Sequence, residues 1–169
     1  SENEQKYQTC FEGPLSYYHK DNDLTLRTTN FHCIINKQTL EIENYNKIDT
    51  ARLDNKPKWT FIGLEDARIV YWDNRYYAIG VRRDTTTNGQ GRMEFSELEI
   101  KENSVKEISR TRIEVKDKES YCEKNWMPIK SKPFHFVKWS NPTEIVKVDL
   151  ENKIANQIYL SENKINLPL

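Results

Sequence analysis

The stretch between Gly63 and Asp84 constrains the fold more than any other part of the chain. Two runs rich in β-branched and aromatic residues flank the pair Asp73-Asn74. Such residues favour strands, and Asp and Asn tolerate the positive φ angles that a tight two-residue turn requires. We therefore predict a β-hairpin that turns at Asp73-Asn74.

Charged residues gather at the open end of this predicted hairpin. Because side chains alternate across a strand, Asp66 and Arg68 are expected on one face and Glu65 on the other. The second strand ends in two arginines and an aspartate. We therefore expect carboxylates and guanidinium groups to meet where the hairpin opens.

The rest of the chain repeats short extended runs separated by turn residues. It contains no stripe of apolar residues at a spacing of 3.6 over ten or more positions, so no helix is predicted. Short strands at this spacing indicate an all-β sandwich, barrel or propeller, and hairpins of similar length favour propeller blades. The extended runs predicted outside the central hairpin are residues 15–18, 24–26, 31–35, 40–45, 59–62, 93–100, 105–115, 134–139, 144–148 and 154–160.

Composition excludes several classes of function. The chain is 31% charged, but its 11% aromatic content is too high for a disordered protein. Its 26 basic residues equal its 26 acidic ones, so no nucleic-acid partner is expected. The three cysteines have neither zinc nor disulfide spacing, and no apolar run approaches the roughly 20 residues of a membrane span. With no signal peptide recognised, we predict a cytoplasmic protein without a membrane partner.

Asp66 is the candidate acid. A carboxyl group at a strand end, beside arginines and aromatic rings, can donate a proton to a leaving oxygen if its pKa is raised toward the working pH. A guanidinium group at Arg68 would instead lower that pKa. The alternative is that Asp66 and Arg68 form a structural ion pair.

Three arginines flank a glycine-containing loop. Arg82, Arg83 and Arg92 carry forked donors that match phosphate or carboxylate oxygens, so anion capture is one hypothesis. The alternative is a solvated turn in which Arg82 pairs with Asp84 and Arg92 pairs with Glu94. Strand alternation places Arg82 and Asp84 on a face that Arg83 does not share.

A third cluster combines Glu123, Lys124, Asn125 and Trp126. Carboxylate and amide groups hydrogen-bond sugar hydroxyls, and an indole ring can stack on the apolar face of a sugar. The alternative is a core tryptophan with polar neighbours in a loop. The three histidines show no ligand spacing, so no metal site is predicted.

These motifs resemble those of a known family. Gly63-Leu64-Glu65-Asp66-Ala67-Arg68 resembles the Gly-x-Glu-Asp-Pro-Arg signature of glycoside hydrolase family 130, the five-bladed β-propeller enzymes that include β-mannoside phosphorylases and their hydrolytic relatives. The motifs around Arg82 and Arg92, the segment 123–128 and Asn141-Pro142-Thr143 resemble similar propellers joined to glycosyltransferase domains. The resemblance covers about residues 60–150.

The resemblance implies a propeller of four-stranded blades with a carbohydrate site at its centre. Five blades of about 40 residues each need about 200 residues. Residues 1–169 are therefore expected to form a single β-propeller domain, shortened, or a propeller fragment. A fragment with open sheet edges favours association, so a homo-oligomer is one expected assembly.

The resemblance also implies roles for individual residues. Asp66 matches the general acid and Arg68 the motif arginine, while Arg82, Arg92 and Lys124 become candidates for anion or substrate contacts. Inorganic phosphate is the implied co-substrate of a phosphorylase, and no other cofactor is implied. An inverting hydrolase needs a second carboxylate as base. The candidates for that base are Glu94 and Glu123.

Three functions remain open from the sequence. The first is an inverting glycoside phosphorylase or hydrolase acting on β-mannoside-type oligosaccharides. The second is a non-catalytic domain that binds a glycan for a glycosyltransferase domain. The third is an interaction scaffold in which the charged clusters are ion pairs between blades.

Overall fold

The described residues form an all-β protein, as predicted. The computed structural model describes residue 23 and residues 25–117 and 119–162. This part of the chain contains thirteen strands and no helix. The strands are β1 (Leu26–Arg27), β2 (Phe31–Ile35), β3 (Ile42–Asp49), β4 (Phe61–Ile62), β5 (Leu64–Trp72), β6 (Arg75–Arg82), β7 (Arg92–Lys101), β8 (Ser104–Arg112), β9 (Glu114–Val115), β10 (Met127–Pro128), β11 (His135–Ser140), β12 (Thr143–Asp149) and β13 (Ile154–Leu160).

The central hairpin forms as predicted and turns at the predicted pair. β5 and β6 are antiparallel, with Trp72 opposite Arg75. Asp73 and Asn74 have φ angles of 47° and 62°, the left-handed values that match a two-residue turn to the twist of its strands. The hairpin is therefore specified locally by its turn residues.

A six-stranded sheet is built outward from this hairpin, in the order β2-β3-β8-β7-β6-β5. Strands β5 to β8 are antiparallel neighbours in chain order. The β2–β3 hairpin joins them through a short parallel contact, in which Ile48 lies opposite Val105 and Asp49 opposite Lys106. The four consecutive strands are thus the regular part of this sheet.

A five-stranded sheet has the order β10-β11-β12-β13-β9. Its strands β10 to β13 are again antiparallel neighbours in chain order. The predicted run 105–115 is divided between the two sheets, because β8 ends at Arg112 and β9 pairs in parallel with β13. Ile113, which is fully buried, lies at this crossing. A pair formed by β1 and β4 completes the described strands.

Most of the other predicted runs are confirmed. The runs 31–35 and 154–160 match β2 and β13 residue for residue, and the runs 93–100, 134–139 and 144–148 differ from β7, β11 and β12 by one residue at each end. The runs 24–26, 40–45 and 59–62 overlap β1, β3 and β4 only in part. The run 15–18 lies outside the described residues. Turn chemistry and strand propensity together therefore locate these strands well.

An aromatic core joins the two larger sheets. Trp72 on β5 and Tyr77 on β6 meet Phe134 and Phe136 from the other sheet. The Trp72 and Phe136 rings are edge-on, with centroids 5.6 Å apart. Such pairs are favourable beyond the area that they bury. The opposite face of the six-stranded sheet carries a second, smaller apolar cluster formed by Leu64, Ala78, Leu98 and Val105, together with buried charged residues.

Phe136 tests how much the joining of the two sheets stabilises the fold. It is 0% exposed, so Phe136→Ala leaves a cavity and should reduce the free energy of unfolding by about 3–5 kcal/mol in urea denaturation. Trp139 on the same strand is 62% exposed, so Trp139→Ala should reduce it by less than about 0.5 kcal/mol. Equal losses in the two variants would contradict the assignment of Phe136 to a shared core.

Candidate functional site

Asp66 lies at a β-bulge near the start of β5. Glu65 pairs with Val81 and Arg68 with Ile79, so two residues of β5 face Gly80 alone. Asp66 itself is exposed and has φ = 52°. A bulge adds one residue and reverses the alternation beyond it. The expectation that Asp66 and Arg68 share a face opposite Glu65 is therefore wrong, because Glu65 and Arg68 lie on the same face.

The bulge also changes the partner of Arg68. Its Nη1 donates a hydrogen bond to the backbone carbonyl of Asp66 at 3.3 Å. The alternative interpretation of Asp66 and Arg68 as a side-chain ion pair is thus wrong, since the guanidinium group binds the backbone. The carboxylate of Asp66 remains directed at solvent.

Glu65 is the half-buried carboxylate beside Asp66, and sequence reasoning gave it no role. Burial raises the pKa of Glu65, and the charges of Asp66 and Asp84 add to the increase, while Arg83 and Lys124 oppose it. The charges of Asp66, Arg83 and Lys124 therefore act on one carboxyl group. No sequence pattern predicts this bulge, so the sequence did not identify Glu65 as a candidate site residue.

Lys124 and Asn125 supply further exposed polar groups. Both side chains are exposed, and Asn125 has φ = 62°. We name the group formed by Glu65, Asp66, Arg68, Lys124 and Asn125 the acidic edge. The charge of Lys124 acts on Glu65, Arg68 bonds to the backbone of Asp66, and Asn125 follows Lys124 in the chain. Side chains of these types can hydrogen-bond the hydroxyl groups of a ligand.

Arg82 and Glu94 belong instead to a buried network. Arg82 Nε lies 2.8 Å from Glu94 Oε2, and Arg82 Nη1 lies 3.5 Å from Asp84 Oδ2. Arg112 Nη1 approaches the other oxygen of Glu94 at 3.4 Å. The expected Arg82–Asp84 pair is confirmed, whereas the expected Arg92–Glu94 pair is wrong because Glu94 is bound by Arg82 and Arg112.

Burial is the main influence on the pKa of Glu94, which is 1% exposed. Loss of solvent raises the pKa of Glu94, and the charges of Arg82 and Arg112 oppose that increase. Both carboxylate oxygens are held by arginines. Glu94 is therefore part of the interior and has no open path to a surface ligand in this conformation.

Arg83 and Arg92 fasten the loop that follows β6. Arg83 donates to the Gly89 carbonyl at 3.0 Å and to the Tyr121 hydroxyl at 2.9 Å. Arg92 donates from Nη1 to the carbonyls of Gly91 at 2.9 Å and Ser120 at 2.8 Å. Arg83 thus holds the partly exposed loop between β6 and β7, and Arg92 links Gly91 to Ser120. Arg92 Nε also lies 3.6 Å from Glu114 Oε2.

Glu123 and Trp126 lie against the aromatic core. Trp126 Nε1 donates to Glu123 Oε2 at 3.1 Å, and Lys138 Nζ lies 3.3 Å from Glu123 Oε1. Trp126 is 1% exposed. The indole ring therefore packs inside the protein. Glu123 accepts a hydrogen bond from the indole N–H and forms an ion pair with Lys138.

A cavity of about 610 Å³ opens on the polar side of the six-stranded sheet. Of the predicted site residues, Arg82 alone lines it. The predicted residues thus fall into four places, which are the acidic edge, the buried charge network, the loop contacts of Arg83 and Arg92, and the aromatic core. Within residues 25–117 and 119–162, no three His, Cys, Asp or Glu side chains are grouped so as to hold a metal ion. Nor do the described residues include a helix that could cross a membrane.

Comparison with protein families, with characterised proteins and with solved structures finds no match.

The buried network makes Arg82 a residue on which stability depends. Arg82→Met leaves the charge of Glu94 partly uncompensated, so the free energy of unfolding should fall by about 3 kcal/mol. Arg75, whose side chain is 59% exposed, pairs with Glu97 on the surface, so Arg75→Met should cost at most about 1 kcal/mol. Urea denaturation measures both losses. A loss for Arg82→Met no larger than for Arg75→Met would contradict a structural role for Arg82.

Glu65 should make stability depend on pH. Between its ordinary pKa of 4.5 and its raised value in the fold, folded Glu65 holds a proton that the unfolded chain has released. The free energy of unfolding should therefore fall as the pH rises through this window. Glu94, whose pKa is also raised, contributes a fall of the same sign, so Glu65→Gln should make the fall smaller but not abolish it. Urea denaturation of both proteins from about pH 4 to pH 7 measures the difference.

Glu99 provides a control of opposite sign. A hydrogen bond from Lys101 lowers the pKa of this exposed carboxyl group. Glu99 therefore stabilises the folded state above pH 4.5, and this stabilisation is lost as the pH falls through the lowered pKa. Glu99→Gln should leave the fall attributed to Glu65 in place. Identical pH profiles for the wild type and Glu65→Gln would refute the environment described for Glu65.

Proposed function

We propose that this chain is a carbohydrate-binding domain of the β-propeller type found in glycoside hydrolase family 130. Two observations support the architecture. Strands β5 to β8 and strands β10 to β13 are each four antiparallel neighbours in chain order. Each set has the strand order of one propeller blade. In this proposal the chain contains part of a five-bladed propeller, and the β2–β3 hairpin is an addition to the blade β5–β8, joined to it through the pairing of β3 with β8.

The acidic edge is the proposed glycan site, and one observation carries this assignment. The bulge presents Asp66 to solvent in a left-handed conformation, directly beside the half-buried carboxyl group of Glu65. Asp66 belongs to the motif through which the sequence resembles the propeller family. The exposed side chains of Lys124 and Asn125 come from the second resembling motif. Hydroxyl groups of a β-mannoside-type oligosaccharide can both donate to the carboxylates and accept from the cations and the amide.

Binding without catalysis is the form of this function that the contacts favour. Phosphorolysis needs donors for a phosphate ion. Arg82 is paired with Glu94, and Arg83 and Arg92 donate to backbone carbonyls, which leaves Arg68 and Lys124 as the cations of the acidic edge. Hydrolysis with inversion needs a second carboxylate as base. Glu123 and Glu94, the candidates for that base, are each bound to a cation in the interior. The proposed role is therefore to position a glycan, with a glycosyltransferase domain as the proposed partner.

Catalysis by Asp66 is the second candidate, and the backbone at the bulge favours it. A residue other than glycine in the left-handed region stores conformational energy, and such residues cluster at active sites. In this alternative, Asp66 donates its proton to the glycosidic oxygen while phosphate, or a water that gives up a proton to solvent, attacks the anomeric carbon from the opposite face. The bond from that carbon to the glycosidic oxygen breaks and the leaving sugar departs with the proton from Asp66. This single displacement inverts the anomeric carbon.

Association between copies of the chain is part of the proposal. The β2–β3 hairpin exposes several large apolar residues at the free edge of the six-stranded sheet. Phe31 and Tyr45 pack against each other there, with ring centroids 6.2 Å apart. An apolar edge of this kind favours contact with a further sheet.

Glycan binding can be tested with β-1,4-linked mannotriose and isothermal titration calorimetry. Asp66→Asn removes a charged acceptor, and Asn125→Ala removes an amide, so each variant should weaken binding by about tenfold. Glu99→Gln, which changes an exposed carboxylate away from the acidic edge, should bind like the wild type. Undiminished binding by Asp66→Asn would contradict the site, and the absence of binding by the wild type would contradict the proposed ligand class.

The same sugar distinguishes the second candidate. Release of mannose or mannose 1-phosphate that is lost in Asp66→Asn would favour catalysis with Asp66 as the acid. Binding without release of either product would favour the glycan-positioning role.

A further inference from the structure

The cavity on the polar side of the six-stranded sheet is separate from the acidic edge. Its walls come from the residues that follow β1, from the segment between β3 and β4, and from side chains of β3, β5, β6, β7 and β8. The cavity contains neither Asp66 nor Lys124. With about 610 Å³ it lies within the range of small-molecule sites.

Backbone and side-chain bonds hold the walls of this cavity in place. Thr28 donates its amide to the Ile62 carbonyl at 2.8 Å, and Lys58 donates its amide to the Asp84 carbonyl at 2.9 Å. Arg110 donates to the carbonyl of Leu53 at 3.0 Å. The segment between β3 and β4 is thus tied to two strands of the sheet, so the cavity does not depend on a ligand for its shape.

All three carboxylates that line the cavity are already bound to arginines. Asp84 lies beside Arg82, at 3.5 Å. Asp54 and Glu107 both bind Arg110, the former at 3.0 Å. The negative charge of the lining is therefore neutralised within the wall.

Four other cations line the cavity without such a partner. Arg27, Lys47, Lys56 and Lys58 have no carboxylate within ion-pair distance among the described residues. The electrostatic potential of the cavity is therefore positive, and a concave wall concentrates that potential. An anionic ligand fits this field.

Neutral hydrogen-bonding groups complete the lining. Thr28, Thr29, Asn55 and Thr85 add hydroxyl and amide groups between the cations. Apolar atoms nevertheless supply the larger part of the lining surface, among them those of Ile48, Ile62, Leu64 and Leu98. The hydroxyl and amide groups suit a ligand that carries several hydroxyl groups as well as a charge.

We propose that this cavity binds a phosphomonoester of a small polyhydroxylated molecule. The unpaired lysines and Arg27 hold the phosphate group, and the threonine and asparagine side chains hold the hydroxyl groups. The site is independent of the glycan site at the acidic edge. In this proposal the domain binds a glycan and a small phosphorylated compound at two separate sites.

Glucose 6-phosphate is the test ligand. Glucose and inorganic phosphate are the two comparison ligands, since each contains one part of it. Isothermal titration calorimetry at low salt should show glucose 6-phosphate binding more tightly than either comparison ligand, and added salt should weaken it. Lys56→Gln/Lys58→Gln should lose about tenfold in affinity, because charge-assisted hydrogen bonds to the phosphate are removed.

The matched control is Lys130→Gln/Lys132→Gln, which changes two exposed lysines at the same spacing outside the cavity. This control should bind within about twofold of the wild type, as expected for screened surface charges. Asp66→Asn should also bind normally, which separates this site from the acidic edge. No binding of glucose 6-phosphate, or equal losses in the two double variants, would overturn the proposal. Equally tight binding of inorganic phosphate would overturn the assignment of a polyhydroxylated ligand.

Discussion

The buried ion pairs around Glu94 are the interaction on which the geometry of this protein depends. Arg82 from β6 and Arg112 from β8 hold the carboxylate of Glu94 on β7. Three neighbouring strands are thereby locked in register through one residue. A charge buried in this way is favourable only while its partners remain in place, so these strands must form together.

The effect of this network reaches the acidic edge through Asp84. The carboxylate of Asp84, which lies beside Arg82, accepts the backbone N–H of Gly63 at 2.9 Å. Gly63 has φ = 102°, and a Cβ there would lie 2.5 Å from the carbonyl oxygen of Thr28. A glycine is therefore required where the chain enters β5, and the bulge at Asp66 begins three residues later. Buried charge thus fixes the place at which an exposed carboxylate is presented.

The two faces of the six-stranded sheet have different physical roles. On β7, Met93 and Phe95 face the aromatic core, while Arg92, Glu94 and Ser96 face the charged side. All of these residues are buried. The core face stabilises the contact between the sheets, and the charged face combines a neutralised interior with a positively charged cavity. The charged face therefore accommodates the buried side chains of Arg82 and Arg92.

Much of the fold follows from local sequence signals, whereas the site does not. Asp73-Asn74 specifies its own turn, and the runs 31–35 and 154–160 carry enough β-branched and aromatic residues to mark their strands. The bulge at Asp66 results from pairing with Gly80 and has no local signature. The partners of Arg92 and Glu94 were predicted wrongly because ion pairs between strands depend on register, which neighbouring residues in the sequence do not reveal. Trp126 likewise could be assigned to a sugar site or to the core until its burial was known.

Arginine side-chain NMR tests the division between interior and edge most directly. In a titration of labelled protein with β-1,4-linked mannotriose alone, the Nε–H resonance of Arg82 should not move, because that group is bonded to Glu94. The backbone amides of Asp66 and Asn125 should shift with saturation. A shift at Arg82 Nε without shifts at Asp66 and Asn125 would contradict this account, since it would place the ligand on the network that we assign to the interior.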